Sequence, residues 1–260
     1  MEHSPRLTVN YADFLPGLVA SGLEGISAVE VGPYFSPAQV AEIGRLLPGI
    51  PLHFHADRLG VLPGTLGRLK AYLAVTQNEW LSVHLSILNP IYYFMERRFG
   101  VGLPVFSKRY WFELFIRSIR RLRQVQPLPV IVENMPMLPP GRYPFKSEPE
   151  NVRMVLERAG CGLLLDLGHA RVVASVRGVD VHAYLGQMPL EQVIQIHVSG
   201  PRPGQDGWLR DAHQSMQPED YDLLTWTLER CNPAAVTLEF WQDRDLYIQQ
   251  VERLQTLLKN

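Results

Sequence analysis

The chain has 260 residues, enough to bury a full core, and its 25 lysines and arginines nearly balance 26 aspartates and glutamates. A net charge of −1 disfavours a general nucleic-acid coat. The opening "MEHSPRLTVNYADF" lacks the apolar centre of a signal peptide, and no run reaches the roughly 18 apolar residues of a membrane span, so a soluble, cytoplasmic protein is expected. No linker or composition shift divides the chain, and residues 1–260 read as one domain. Cys161 and Cys231 are too few for a disulfide framework and read as structural thiols.

Short apolar runs alternate with amphipathic stretches throughout. In chain order the predicted strands are "RLTVNY" (6–11), "ISAVEVG" (26–32), "IPLHFHA" (50–56), "WLSVHLS" (80–86), "PVIVENM" (129–135), "GLLLDLG" (162–168), "VIQIHVSG" (193–200) and "AVTLEF" (235–240). Helical patterns lie between them. In "SPAQVAEIGRLL", Ser36 is the predicted N-cap and Pro37 the first helical residue. In "SKRYWFELFIRSIRRLRQ", Phe112, Phe115, Ile119 and Leu122 form an inward stripe, and Arg117, Arg120, Arg121 and Arg123 read as a solvated face. "SEPENVRMVLERAG" has Ser147 as its predicted cap and Gly160 as its stop.

Strands apolar enough to be covered on both sides and alternating with helices imply parallel pairing, and eight such units predict a closed (β/α)8 TIM barrel. An open doubly wound sheet would carry a glycine-rich turn after its first strand, and "VNYADFLPG" is not one. The longest irregular stretches, "MPMLPPGRYPF" (135–145) and "SGPRPGQDGWLRDAH" (199–213), follow strands on the face where barrels carry their sites. Aromatics in "NPIYYFMERRFG" (89–100) and Trp208 are candidates for local core or a substrate wall.

Polar residues placed on this frame fall at strand ends. His53 or His55 ends the third strand, His84 the fourth, Glu133 the fifth, Asp166 the sixth, His197 the seventh and Glu239 the eighth. His169 follows Asp166 by three, and "LRDAHQ" adds Asp211 and His213. Imidazoles and carboxylates are ligands for iron, manganese or zinc, and nine of them exceed the needs of one ion, so two or three metal ions are expected. Glu133, Glu239 and Asp166 are the candidate catalytic groups. No serine or cysteine nucleophile motif is present.

The order of these residues resembles the trinuclear site of endonuclease IV and the wider xylose isomerase-like barrels. A fuller resemblance, carried by "PLHFHADRLG", "SVHLS", "LPVIVENMP", "ERAGCGLLLDLGHARV", "AYLGQMPLEQVIQIHVSG" and "DAHQ" through "TLEFW", is to the multinuclear non-haem iron-dependent oxidative enzymes of the methanobactin-biosynthesis type. It implies metal ligation by His53, His84, Glu133, Asp166, His197, Asp211, His213 and Glu239, with His53 favoured over His55. It also implies iron as the metal, O2-dependent modification of a peptide or small thiol, and a partner protein that presents the peptide. The chain departs from the family in "LGH", where two asparagines usually follow the aspartate, and in Val83, where an acid usually precedes the histidine. The alternatives are a zinc- or manganese-dependent phosphoesterase and a sugar isomerase or epimerase moving protons through Glu133 and Glu239.

Overall fold

The computed structural model describes residues 4–56, 59–60, 63–88, 108–137 and 144–259. Eight parallel strands close into a barrel: β1 (Arg6–Asn10), β2 (Ala28–Val31), β3 (Leu52–Ala56), β4 (Leu81–His84), β5 (Val130–Glu133), β6 (Gly162–Asp166), β7 (Val193–Val198) and β8 (Ala235–Leu238). Each pairs with its neighbours in the chain, and β8 pairs with β1, so no edge is left open.

The two-residue period of a strand explains how an apolar barrel carries a polar centre. On β6, Leu163 and Leu165 face outward into the main core while Leu164 and Asp166 face the interior. The same alternation sends Ile196 and Val198 of β7 outward and Gln195 and His197 inward. At the bottom of the interior, Trp80, Ile131, Leu164 and Ala235 form a separate apolar cluster. The polar side chains that face the interior, among them Glu133, Asp166 and His197, stand above this plug, toward the carboxyl ends of the strands.

Among the described residues, the helices around the barrel are α1 (Leu15–Ala20), α2 (Pro37–Leu46), α3 (Pro63–Leu73), α4 (Lys108–Val125), α5 (Pro149–Ala159), α6 (Leu167–Arg177), α7 (Val181–Leu185), α8 (Pro218–Leu228) and α9 (Arg244–Lys259). Ser36 caps α2 in a capping box with Gln39. Phe112, Phe115, Ile119 and Leu122 of α4 are buried as the stripe predicts. Two of its arginines do more than face water, because Arg120 donates to the Arg158 carbonyl and Arg123 to that of Ala159, satisfying the last turn of α5. Gly160 ends α5 in the left-handed region at φ 67°.

Two local expectations change. The N-cap of α5 is Glu148 and not Ser147, since Pro149 takes the first helical position and Ser147 closes a preceding 3-10 turn, its hydroxyl donating to the Pro144 carbonyl. The stretch predicted as irregular after β7 is an antiparallel hairpin pairing Gly200–Pro203 with Leu209–Gln214. Its turn closes through the Gly204 amide on the Trp208 carbonyl, and Gly207 adopts φ 80°, which glycine adopts without strain. The aromatic stretch 89–100 and residues 138–143 of the loop after β5 lie outside the described residues.

Candidate metal centre

Eight elements deliver one cluster. Inward-facing positions at the ends of β3 to β7 supply His55, His84, Glu133, Asp166 and His197, the residue after β8 supplies Glu239, the first turn of α6 supplies His169, and the hairpin supplies Asp211 and His213. Glu133 is the hub. Its Oε2 lies 3.0 Å from His84 Nε2 and 3.2 Å from His55 Nε2, and its Oε1 lies 3.2 Å from His169 Nδ1. Asp211 Oδ2 stands 3.1 Å from His169 Nε2 and 3.3 Å from His213 Nε2. Glu239 joins His197 Nδ1 at 3.1 Å to His213 Nδ1 at 3.4 Å.

Hydrogen bonds from outside the cluster set the imidazoles. His55 Nδ1 is 2.7 Å from Ser82 Oγ, which leaves Nε2 toward Glu133. His169 Nδ1 donates to the Asn134 carbonyl at 2.8 Å, leaving Nε2 toward Asp211. Asn134 also clamps Asp166: its amide oxygen accepts from the Asp166 backbone N–H at 2.8 Å and its amide nitrogen donates to the Asp166 carbonyl at 3.0 Å. Asp166 Oδ1 accepts from the His169 backbone N–H at 2.6 Å, so it caps α6 with one oxygen and keeps Oδ2 free.

Burial and the charges packed around each group shift the protonation equilibria. Burial raises Asp166, and the carboxylates of Glu239, Glu133 and Asp211 push it further, to about 7 despite the nearby His169. Burial works to lower His213, but Asp211 and Glu239 hold it up at about 10. The same contest leaves His169 and His197 well above the usual imidazole range, through Asp166 and Glu239 respectively. Burial would raise Glu133, and the surrounding imidazoles, His84 foremost, keep it well below the usual carboxylate range.

Five buried atoms here make no well-aligned hydrogen bond: Asp166 Oδ2 and Asp211 Oδ1, together with Glu133 Oε2, His197 Nδ1 and His213 Nδ1, which lie within 3.4 Å of an ion-pair partner but out of line with it. Leaving one such atom unsatisfied costs about 1–3 kcal/mol, and five in one place fit a site built to hold cations. Donor atoms within 4.8 Å of one another form the groups His55–His84–Glu133, Glu133–Asp166–His169, Asp166–His197–Glu239 and Glu30–His55–His197. These nitrogen and oxygen sets suit iron, zinc or manganese.

The cluster differs from the predicted ring at one member. His53 faces the interior like His55, but two residues deeper is about 6.6 Å lower along the strand. It packs edge-on against Trp80 at 5.8 Å between ring centres, and burial lowers its pKa. His55 stands with the cluster instead. His55→Ala is therefore expected to lower retained metal, measured by elemental analysis, while His53→Ala leaves it unchanged; the reverse pattern would return the ligand role to His53.

Two contributors were absent from the sequence reading. Glu30, a lone acid in the buried run "AVEV", reaches His197 Nε2 at 3.2 Å, and Asn134 follows Glu133 directly. An acid inside a wholly apolar strand was the available signal for the first. A cavity of about 400 Å³ opens from the cluster, with Tyr11, Phe35 and Trp241 on its wall. Trp241 lies 5.1 Å from the ring of His213. Burial pushes the Cys161 thiol up to about 12 and that of Cys231 to about 11, which suits unreactive structural thiols. Among the described residues no helix is long and apolar enough to cross a membrane.

A closed parallel barrel with a carboxylate–imidazole cluster at the carboxyl ends of its strands defines a TIM barrel with a candidate metal centre on the face where such barrels carry their sites. Its solved structural neighbours include 3-keto-D-glucoside 4-epimerase YcjR from E. coli (TM-score 0.62, 13% identity, 98% of this chain and 100% of that one). Another is a xylose isomerase-like TIM barrel protein from Mycobacterium smegmatis in complex with magnesium (TM-score 0.62, 12% identity, 99% and 97%). At such identities they show the fold. The model of the RiPP precursor modification enzyme family MbnB/TglH/ChrH matches residues 52–259, and the chain belongs to that family. Curated relatives include a UPF0276 protein of Bordetella pertussis, 32% identical over 126 residues (46% of this chain, 44% of the relative). A UPF0276 protein of Pseudomonas aeruginosa is 40% identical over 88 residues (32% and 30%). The matched stretches thus span less than half of these relatives.

Proposed function

We propose that this protein is a multinuclear iron enzyme that carries out O2-dependent oxidative modification of a peptide or thiol substrate. The observation that carries the reading is the shared use of Glu133, which is common to two adjacent donor groups and so favours a pair of ions at short range. The proposed ligands are His55, His84, Glu133, Asp166, His169, His197, Asp211, His213 and Glu239. Bound iron would supply the electrons that O2 accepts and an attachment point for a thiolate. The chain's own residues do the rest. Ser82 and Asn134 aim His55 and His169, the Asn134 amide holds Asp166, and the hairpin brings Asp211 and His213 over the rim. The aromatic wall offers an apolar surface beside the cluster that would exclude water from a bound substrate. A peptide substrate is supported by the family's description as RiPP precursor modification enzymes, and a partner protein presenting it belongs to the same reading.

The contacts that Asp211 makes with His169 and His213 favour a second reading, a phosphoesterase with an additional divalent ion beside the pair. Protein purified without chelator separates the two. Two or more irons per chain with a mixed-valence electron paramagnetic resonance signal, and a thiolate-to-iron charge-transfer band on anaerobic addition of a cysteine-containing peptide, are expected. Zinc or manganese without iron, together with hydrolysis of phosphate esters, would overturn the oxidative reading.

A further inference from the structure

Beneath the cluster a polar chain crosses the barrel, and counting its hydrogens determines the state of His197. Trp80 Nε1–H donates to Gln195 Oε1 at 2.6 Å. An indole nitrogen can only donate, so this contact fixes which end of the Gln195 amide is oxygen. The amide nitrogen then has two hydrogens and three neighbours: Glu30 Oε1, Thr237 Oγ1 at 2.7 Å and His197 Nε2 at 3.2 Å. The two oxygens are nearer, and one is anionic, so they take both hydrogens. The Thr237 and Thr8 hydroxyls share a hydrogen bond at 2.5 Å, and in either direction their two hydrogens stay among Thr8, Thr237, the Val236 carbonyl and Glu30 Oε1. Every hydrogen of the chain is placed, and none is left for His197 Nε2.

That nitrogen must carry its own proton, and Glu30 Oε2 lies 3.2 Å away to receive it. The opposite nitrogen, Nδ1, faces Glu239 Oε1 at 3.1 Å without a well-aligned hydrogen bond, and His197 forms a donor group with Asp166 and Glu239. Glu30 also falls within reach of His55 and His197 as a possible cation donor. Yet neither of its oxygens is among the atoms left without a hydrogen bond, since Gln195 holds Oε1 and His197 faces Oε2. We infer that Glu30, itself oriented by Gln195 and Trp80, is a positioning residue that holds His197 with its proton on Nε2 and leaves Nδ1 as the donor to the cation site. The inference rests on the metal reading above. It gives a function to the otherwise costly burial of a carboxylate, an amide and an indole N–H inside the barrel.

Zinc is a suitable probe because it is diamagnetic and takes imidazole and carboxylate ligands. Full-length protein labelled with 15N-histidine would be freed of metal, titrated with Zn2+ against a chromophoric chelator, and its ring nitrogens followed by NMR. In the zinc-loaded protein His197 should show a protonated Nε2 and a metal-shifted Nδ1. Glu30→Gln should weaken zinc binding roughly 10–100-fold, as loss of an outer hydrogen-bond partner does. Trp80→Phe keeps Glu30 but frees the amide to turn, and should yield a second His197 species with its proton on Nδ1. Circular dichroism verifies that each variant is folded, and Trp80→Phe decides the matter if Glu30→Gln is not. Zinc bound through Nε2, or a Glu30→Gln protein that holds zinc as tightly as the unaltered one, overturns the positioning role alone. An unaltered protein without zinc affinity overturns the metal reading and this inference with it.

Discussion

Glu133→Gln is expected to empty two donor groups at once while the barrel stays folded. The carboxylate is common to the His55–His84–Glu133 and Glu133–Asp166–His169 groups. Glutamine keeps its length, but the amide nitrogen has hydrogens where the carboxylate had lone pairs, so either the His55–His84 side or the His169 side loses its donor. The site also loses one negative charge among its buried imidazoles. The fall in metal affinity should exceed the roughly 10–100-fold typical of losing an outer partner. The fold should tolerate the change, because one poorly satisfied buried group costs about 1–3 kcal/mol against a total of about 5–15. Elemental analysis after dialysis, paired with a thermal melt, provides the check. Adding Glu239→Gln should remove what metal remains on the Asp166–His197–Glu239 side. Full occupancy in the double variant would exclude both residues from the site.

A methyl group at Gly200 is expected to do as much damage by a different route. The Cβ of Gly200→Ala would stand 2.2 Å from the Ser215 carbonyl oxygen and 2.9 Å from that of Gln214. Both obstacles are main chain, so a strand of the hairpin has to move. Overpacking of this kind costs about 1–3 kcal/mol, and the upper part of that range suits an obstacle without rotamers. Gly200 is paired with Gln214, next to His213 and close to Asp211, so the displaced strand is the one that carries those two side chains to the cluster. The outcome to look for is a lowered melting temperature together with loss of metal from the Asp211–His213 side, while His55, His84 and Glu133 retain theirs. A lowered melting temperature with unchanged metal content would mean that the hairpin contributes no ligand.

The barrel was legible because its signal is local. Each strand is a short apolar run, and the alternation within it separates residues such as Leu163 and Leu165, which meet the helices, from Leu164 and Asp166, which face the interior. The caps at Ser36 and Gly160 are local as well, set by one side chain and one backbone conformation. The hairpin after β7 was not legible, because "SGPRPGQDGWLRDAH" lacks the alternating apolar residues of a sheet that covers a core. Its strands pair over the rim, where half-exposed polar residues are accommodated.

Acids and imidazoles at the ends of β4 to β8 can be read from the residues alone, since a period of two and the end of an apolar run are properties of neighbouring residues. The choice between His53 and His55 needed the assembled barrel, because they share a face and differ in depth alone, and depth is measured against the other strands. It alone brought Glu30 of β2 to His197 of β7, two strands that are not adjacent in the barrel. A pairing across a closed interior depends on the tilt and stagger of all eight strands at once, and no stretch of the chain encodes that by itself.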